Sequence, residues 1–145
     1  MDARTLSLPI STLDYKQPAT VQVGSPVSDA IDLMQIEGFG CALVVDADQR
    51  LVGILTDRDL LVHICGKNLD PETIKVEEIM TKEPESLRAS DPIAFALNIM
   101  HLGHFRHVPL CIWDEQQQEF PVGMISTRDI LEHVAIFIES NEGAP

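Results

Sequence analysis

Basic side chains and cysteines are scarce in this chain of 145 residues. Lys and Arg number 10 against 23 Asp and Glu, so the formal net charge is −13 and the pI is near 4.5. Because nucleic-acid backbones and anionic lipids are polyanions, this charge argues against nucleic acid or a membrane as the primary partner. The three cysteines form no CxxC pair, and their odd number argues against a secreted disulfide framework. These features predict a cytoplasmic protein.

Membrane-spanning and catalytic patterns are also missing. The sequence has no run of 18 or more apolar residues, so neither membrane spanning nor export is indicated. It has no Gly-rich phosphate loop followed by Lys and no nucleophile with an evident base. His101, His104 and Cys111 do not complete a set of zinc ligands. We therefore predict that the chain is not an enzyme and has no catalytic residue and no metal site.

A ten-residue sequence occurs twice in the chain. It reads Val-Gly-Ile-Leu-Thr-Asp-Arg-Asp-Leu-Leu from residue 52 and Val-Gly-Met-Ile-Ser-Thr-Arg-Asp-Ile-Leu from residue 122, an offset of 70 (122 minus 52). Upstream, Lys16 and Pro18 recur as Lys82 and Pro84, an offset of 66 (82 minus 16). A unit of roughly 60 residues is marginal alone, so the repetition predicts two related units packed together.

Apolar periodicity predicts the order β-α-β-β-α in each unit. Ser25-Pro26 and Asp91-Pro92 each place a capping residue before a proline at the first helical position, and Gly38 and Gly103 end the helices that follow. The turn at 114–119 is longer than the turn at 46–50, which accounts in part for the growing offset. The predicted segments are an N-terminal extension (1–9), a first repeat (10–66), a linker (67–75), a second repeat (76–137) and a polar C-terminal tail (138–145).

Each ten-residue sequence joins a strand to a helix through a hydroxyl residue and an Asp three positions later. These pairs are Thr56 with Asp59 and Ser126 with Asp129. A hydroxyl and a carboxylate beside a helix N-terminus are suited to hold a sugar there. The same spacing is also a capping box, in which both side chains satisfy free backbone N–H groups. The residues alone leave both interpretations open.

Two repeats that each end in Gly-hydrophobic-hydrophobic-Thr/Ser-x-x-Asp resemble a tandem cystathionine-beta-synthase (CBS) domain pair, also called a Bateman module. The resemblance implies an α/β (α+β) fold of two β-α-β-β-α repeats packed with pseudo-two-fold symmetry. It also implies a regulatory module that binds an adenosine-containing nucleotide in the cleft between the repeats and requires no further cofactor. AMP, ADP, ATP, S-adenosylmethionine and NAD all remain open as ligands.

The resemblance assigns roles to matched positions. Asp59 and Asp129 would accept hydrogen bonds from the ribose, because two carboxylate oxygens match two adjacent hydroxyl donors. Thr56 and Ser126 would contact phosphate or ribose. The remaining contacts, to the adenine and from the first strand, fall on Thr20, Val21, Gly40, Cys41 and Ala42 in the first site and on Ser86, Leu87, His107, Val108 and Pro109 in the second.

Positive charge is concentrated near the second site. Arg58 and Arg128 precede the two Asp residues and would meet phosphate charge together with the helix N-terminus. Only the second site also follows a basic cluster, residues 104–107, which includes Arg106 and His107; complementing a helix C-terminus is the other explanation of that cluster. Because the first site carries Asp57 instead, we expect the site of Asp129 to bind an anionic nucleotide more tightly.

Apolar residues outside the predicted core stripes indicate self-association. Examples are Ile36, Leu102 and Ile136, and an isologous homodimer is the default arrangement. A regulated protein, not identified by the sequence, would be a further partner. The alternative function is a ligand-free dimerisation or scaffold module for a protein partner, in which the hydroxyl and Asp pairs act only as helix caps.

Overall fold

The computed structural model describes residues 3–142 and has the mixed helix and strand content of an α+β fold, which confirms the predicted class. In chain order the elements are α1 (Ala3–Leu6), a 3-10 turn (Ile10–Thr12), β1 (Thr20–Gln22), α2 (Val27–Glu37), β2 (Cys41–Val45), β3 (Leu51–Thr56), α3 (Asp57–Asp59) continued by a π-helix (Leu60–Cys65), α4 (Val76–Ile79), β4 (Thr81–Lys82), α5 (Ile93–Gly103), β5 (His107–Trp113), β6 (Glu119–Ser126) and α6 (Thr127–Glu142).

One compact unit, the first-repeat unit, consists of residues 18–84 and 112–121. Its sheet has the order β1-β2-β3-β4, in which β1 runs parallel to β2 and the other neighbours are antiparallel. Every residue of β2 is buried, so its sequence is continuously apolar rather than alternating. Helix α2 covers the sheet with Val27, Ala30 and Met34, three residues of the helical stripe that the sequence predicts.

The other compact unit, the second-repeat unit, contains residues 3–17, 85–111 and 122–142 of the described chain. Strands β5 and β6 pair with each other, and Leu87 forms a parallel bridge to Leu110 in the position that β1 occupies in the first-repeat unit. Helix α5 buries Ile93, Ala96 and Met100 against this core. The two units therefore repeat the predicted order of elements.

The helix starts differ from the prediction at the two prolines. Pro26 and Pro92 are N-cap residues with extended backbone (ψ 150° and 148°), and neither α2 nor α5 has a side-chain cap, so the predicted capping by Ser25 and Asp91 is wrong. Backbone carbonyls replace those caps. The first helical N–H groups, of Val27 and Ile93, donate to residues 74 and 8 at 2.8 and 2.9 Å.

One of the two predicted helix ends is shifted. Gly38 adopts the left-handed conformation (φ 69°) at the end of α2, which confirms that prediction. At the end of α5 the left-handed residue is His104 (φ 55°), and Gly103 is the last helical residue. A β-carbon at Gly103 would collide with the ring of Phe105, so a larger residue there would displace that exposed ring.

The compact units do not coincide with the sequence repeats, because each unit includes the first residues of the other predicted repeat. Ile10 and Leu13 lie in the core of the second-repeat unit, and Val76 and Ile79 lie in the core of the first-repeat unit. Equivalent hydrogen bonds hold the two segments: the N–H of Ile10 donates to residue 91 at 2.8 Å, and that of Val76 donates to residue 25 at 2.9 Å. The start of the predicted first repeat is therefore packed in the core of the second-repeat unit.

The same two segments explain the glycine of the repeated sequence. Met80, which follows α4, lies against Gly53, and Tyr15, which follows the 3-10 turn, lies against Gly123. A β-carbon at Gly123 would be 2.7 Å from the Tyr15 ring, so a larger residue would displace the packed segment.

The growing offset between the repeats arises in strands and not in a longer turn. Asp46 and Asp114 open equivalent turns, and each accepts hydrogen bonds from the backbone N–H groups two and four positions later at 2.8 to 3.0 Å. Strands β5 and β6 have 7 and 8 residues, whereas β2 and β3 have 5 and 6. The predicted longer turn is wrong. Equal additions to both strands keep the inward faces in register.

The C-terminal segment is more regular than the composition suggests. Helix α6 continues to Glu142, so the described part of the predicted tail is helical, and residues 143–145 lie outside the described residues. Within the described chain no helix is long and apolar enough to span a membrane.

The packing of the N-terminal segment predicts a large effect of the substitution Ile10→Ala. Ile10 is fully buried in the core of the second-repeat unit, so we expect a loss of about 2–5 kcal/mol in the free energy of unfolding. Chemical denaturation measures it. Ile36→Ala is the control, because Ile36 is 80% exposed and the change should stay within about 0.5 kcal/mol. Equal stabilities of the two variants would contradict the observed packing.

Candidate functional site

The two hydroxyl and Asp pairs stand at equivalent helix starts. In the first-repeat unit the Thr56 N–H donates to Asp59 Oδ2 at 2.9 Å, and the Asp59 N–H donates to Thr56 Oγ1 at 3.2 Å. In the second-repeat unit the matching distances, between Ser126 and Asp129, are 2.8 and 3.1 Å. Both pairs are therefore capping boxes, as one of the two interpretations predicts.

A further backbone bond ties each helix start to the middle strand. The N–H of Asp57 donates to the carbonyl of Gly40 at 3.0 Å, and the N–H of Thr127 donates to that of Arg106 at 2.9 Å. Because Cys41 pairs with Thr56 across β2 and β3, this bond closes the end of the hairpin against the helix. The residues at the start of the middle strand and the capping pair are thereby held side by side in each unit.

The first strand completes each group. Thr20 of β1 lies opposite Leu43 in parallel register, next to the buried residues Cys41 and Ala42. In the second-repeat unit the N–H of Leu87 donates to the carbonyl of Pro109 at 3.1 Å. In each unit the predicted contact residues thus come from three places: the middle strand, the helix start, and a first segment that is strand β1 in one unit and an isolated bridge at Leu87 in the other.

The two arginines are less constrained than the other predicted residues. Arg58 and Arg128 are both exposed, and Arg128 forms an ion pair with Glu132 at 3.2 Å on its own helix. An exposed pair of this kind contributes little to stability, so it leaves the guanidinium able to exchange partners.

One carboxylate oxygen of each Asp is already used. Oδ2 accepts the cap bond in both units, whereas Oδ1 of Asp59 and Asp129 accepts no hydrogen bond from the described residues. Oδ1 is therefore the carboxylate oxygen with both lone pairs free of described donors, and the contact of each Asp with a ribose stays a prediction. Asp129 is buried, with 9% exposure, so its charge lies in a poorly solvated position.

The hydroxyl groups differ between the units. Thr56 Oγ1 donates to Asp59 Oδ2 at 3.0 Å, whereas the Ser126 hydroxyl donates to no described residue. Ser86 Oγ is a buried atom without any hydrogen-bond partner among the described residues. A buried polar atom without a partner is unfavourable by about 1–3 kcal/mol.

Sequence reasoning missed one polar residue of this group. Thr127 donates its hydroxyl to the carbonyl of Arg106 at 3.3 Å and lies 3.5 Å from the sulfur of Met100. The sequence could have indicated Thr127, because it occupies the position in the second repeat that Asp57 occupies in the first.

The thiol of Cys41 is uncharged at neutral pH. Burial, and secondarily the charge of Asp57, raises the pKa of Cys41 to about 12. The side chains at the start of β2, Cys41 and Ala42, are therefore buried and uncharged. Among the described residues, no group of three or more His, Cys, Asp or Glu side chains is arranged to hold a metal ion.

The fold and this duplicated group of residues define a protein of two related β-α-β-β-α units, each with its own capped hydroxyl and Asp pair. The CBS domain family model matches residues 10–66 and 76–136. The chain belongs to the CBS domain family.

Individual relatives agree with this assignment. A CBS domain-containing protein of Arabidopsis thaliana is 40% identical over 80 residues, which is 55% of this chain but only 15% of the plant protein. A CBS domain protein of Pyrobaculum aerophilum, solved in complex with AMP, superposes with a TM-score of 0.77 at 22% identity over 91% of this chain and 97% of that one. A CBS domain pair solved with 5′-methylthioadenosine and S-adenosyl-L-methionine superposes with a TM-score of 0.73 at 21% identity over 87% and 98%.

The burial of the cysteines predicts selective thiol chemistry. Cys65 is exposed, whereas Cys41 and Cys111 are buried, and the thiolate of Cys41 is scarce at pH 8 because of its raised pKa. We expect a single thiol per native chain to react rapidly with a disulfide reagent, and all three to react in guanidinium chloride. The substitution Cys65→Ser should abolish the rapid phase, and a rapid phase that persists in this variant would contradict the observed burial.

Proposed function

We propose that this chain is a regulatory module that senses an adenosine-containing nucleotide through its two duplicated sites. Each site consists of a first strand, the start of the middle strand and the capping pair: Thr20, Val21, Gly40, Cys41, Ala42, Thr56, Arg58 and Asp59 in one unit, and Ser86, Leu87, Arg106, His107, Val108, Pro109, Ser126, Arg128 and Asp129 in the other. The module has no catalytic role.

The observation that carries this proposal is the set of polar oxygens that make no hydrogen bond with a described residue once the helix caps are formed. Asp59 Oδ1 and Asp129 Oδ1 are acceptors suited to ribose hydroxyl donors, and Ser86 Oγ is buried without a partner. Beside them stand buried apolar strand residues, among them Ala42 and Val108, which suit the flat face of a base. Family relatives solved with AMP, and with methylthioadenosine and S-adenosylmethionine, support the same ligand class.

Regulation requires that the ligand change an equilibrium between two states of an assembly. We propose a homodimer and a separate regulated protein as the members of that assembly. Exposed apolar side chains support association, notably Ile36 on α2, Leu102 on α5 and Ile136 on α6, whose exposures are 80%, 70% and 63%. Nucleic acid is not proposed as a partner because of the net charge of −13.

A scaffold without ligand is the second candidate. It is favoured by the capping boxes, because a helix cap alone explains a hydroxyl and an Asp at this spacing in both units. It does not explain the buried hydroxyl of Ser86, which takes no part in a cap.

Thermal denaturation separates the two candidates. We expect AMP, ADP, ATP, S-adenosylmethionine or NAD at millimolar concentration to raise the melting temperature, because a ligand that binds only the native state stabilises it. A ligand at 100 times its Kd should contribute about 2.7 kcal/mol. The scaffold candidate predicts unchanged melting with all five compounds, and that result would reject the nucleotide-sensing proposal.

The substitution Asp129→Glu distinguishes a cap from a ligand contact in the same residue. Glu is the usual partner in a capping box, so the variant should keep the helix start and lie within about 1 kcal/mol of the parent in stability. The longer side chain displaces the carboxylate oxygen that takes no part in the cap, so we expect ligand affinity at that site to fall about tenfold or more. Asp59→Glu is the matched variant in the other unit.

Calorimetric titration together with chemical denaturation measures both quantities. Unchanged affinity in both Glu variants would show that the carboxylates serve only as caps.

A further inference from the structure

The helices that follow the two hairpins begin alike but continue differently. Helix α6 is α-helical over all of its 16 residues. In the first-repeat unit only three α-helical residues precede the π-helix (Leu60–Cys65), at whose end the N–H of Gly66 donates to the carbonyl of Leu61, five positions earlier. A bond between residues five apart encloses one residue more than the i→i−4 bond of an α-helix. The π-helix therefore holds one surplus residue.

Neither the start of this helix nor its packing explains the π-helix. The same capping box precedes both helices, and Leu61 and His63 recur in α6 as Leu131 and His133. None of the six residues of the π-helix is buried, whereas Ile130 of α6 is 3% exposed in the core of its own unit. The constraint that remains is the chain that follows the helix.

That chain enters a tightly bonded turn almost at once. Asn68 has the left-handed conformation (φ 51°), and the N–H of Leu69 donates back to the carbonyl of Ile64 at 3.0 Å, which ends the helix. The carbonyl of Asp70 then accepts from the N–H groups of residues 73 and 74 at 3.2 and 3.1 Å, and its Oδ1 accepts from that of residue 72 at 2.9 Å. Only Leu69 separates the end of the helix from this turn.

The turn is docked on the start of α2. The N–H groups of Val27 and Ser28 donate to the carbonyls of residues 74 and 71, each at 2.8 Å, and these are N–H groups that a helix cannot satisfy internally. Pro26 and Lys75 then pair in an antiparallel bridge. The capping box thus fixes one end of the helix and the docked turn fixes the other, whereas α6 continues past the equivalent position, residue 138. A helix held at both ends keeps its surplus residue.

We propose that the π-helix is a register switch in the first-repeat unit. While the turn at Asp70 is docked on α2, the helix keeps its π-helical bonds. When the turn is released, the helix becomes a regular α-helix, and the residues that follow rotate by about 100° around its axis, which is one residue's share of an α-helical turn. The switch connects the linker at 67–75 with the helix that begins at Thr56 and Asp59. It does not depend on the ligand proposed above.

A one-residue deletion tests for the surplus residue. Deleting Val62 should let the remaining segment form an α-helix between the same two ends, so we expect a melting temperature within about 2 °C of the parent. Deleting Glu132, 70 positions later in α6 (132 minus 62), is the matched control. It removes a residue from a regular α-helix and rotates Val134 away from the core, which should lower the melting temperature by about 5 °C or more.

A two-glycine insertion tests whether the docked turn maintains the π-helix. Placed between Leu69 and Asp70 in the full chain, it lengthens the connection and leaves the sequences of the helix and the turn intact. We expect the acceptor of the Gly66 N–H to change from the carbonyl of Leu61 to that of Val62. Scalar couplings across the hydrogen bond, measured by NMR, identify the acceptor. The same insertion between the exposed residues 115 and 116 is the control and should leave Leu61 as the acceptor.

Three results would overturn the proposal. In the first, the Gly66 N–H of the parent chain donates to Val62, so that no π-helix is present. In the second, the acceptor stays Leu61 after the insertion beside Asp70, so that the turn does not maintain the π-helix. In the third, deleting Val62 destabilises the chain as much as deleting Glu132 does, or prevents folding, so that no residue of the helix is surplus.

Discussion

The helix start after the hairpin is the constraint on which both units depend. Three backbone bonds meet there: two belong to the capping box, and the third runs from the next residue to the carbonyl before the middle strand. The box satisfies N–H groups that a helix otherwise leaves open, and a cap of this kind contributes about 1 kcal/mol. The third bond fixes the helix against the strand. Together with the strand pairing, it sets the position of Asp59 relative to Gly40 and of Asp129 relative to Arg106.

Elements whose causes are local could be predicted from the sequence. The apolar stripes of α2 and α5, the left-handed Gly38 and the spacing of Thr56 and Asp59 each depend on residues within a few positions of one another. The acceptor of the Val27 N–H, in contrast, is the carbonyl of residue 74, and no residue near Ser25 in the sequence predicts this distant contact. A distant carbonyl thus replaced the predicted side-chain cap. For the same reason the periodicity did not reveal that Ile10 belongs with the second repeat.

The candidate site was predicted in its membership but not in its bonding. The repeat identified which side chains gather in each unit, since duplication places matched residues in matched elements. It did not show that Oδ2 of each Asp accepts the cap bond, nor that the Thr56 hydroxyl lies 3.0 Å from Asp59 Oδ2. These hydrogen bonds depend on the side-chain rotamers of the capping pairs, which the sequence pattern does not determine. The hydrogen-bond partners of these side chains are therefore known only from the structure.

The cap and the ligand contact need not exclude each other, because they use different oxygens of one carboxylate. A side chain held by its own backbone through Oδ2 has already lost its rotamer freedom, so a ligand that binds Oδ1 avoids an ordering cost of about 0.5–1.5 kcal/mol. The cap thus preorganises the contact. The cap does not account for Ser86, which precedes the bridge at Leu87 and has a buried oxygen without a hydrogen-bond partner among the described residues.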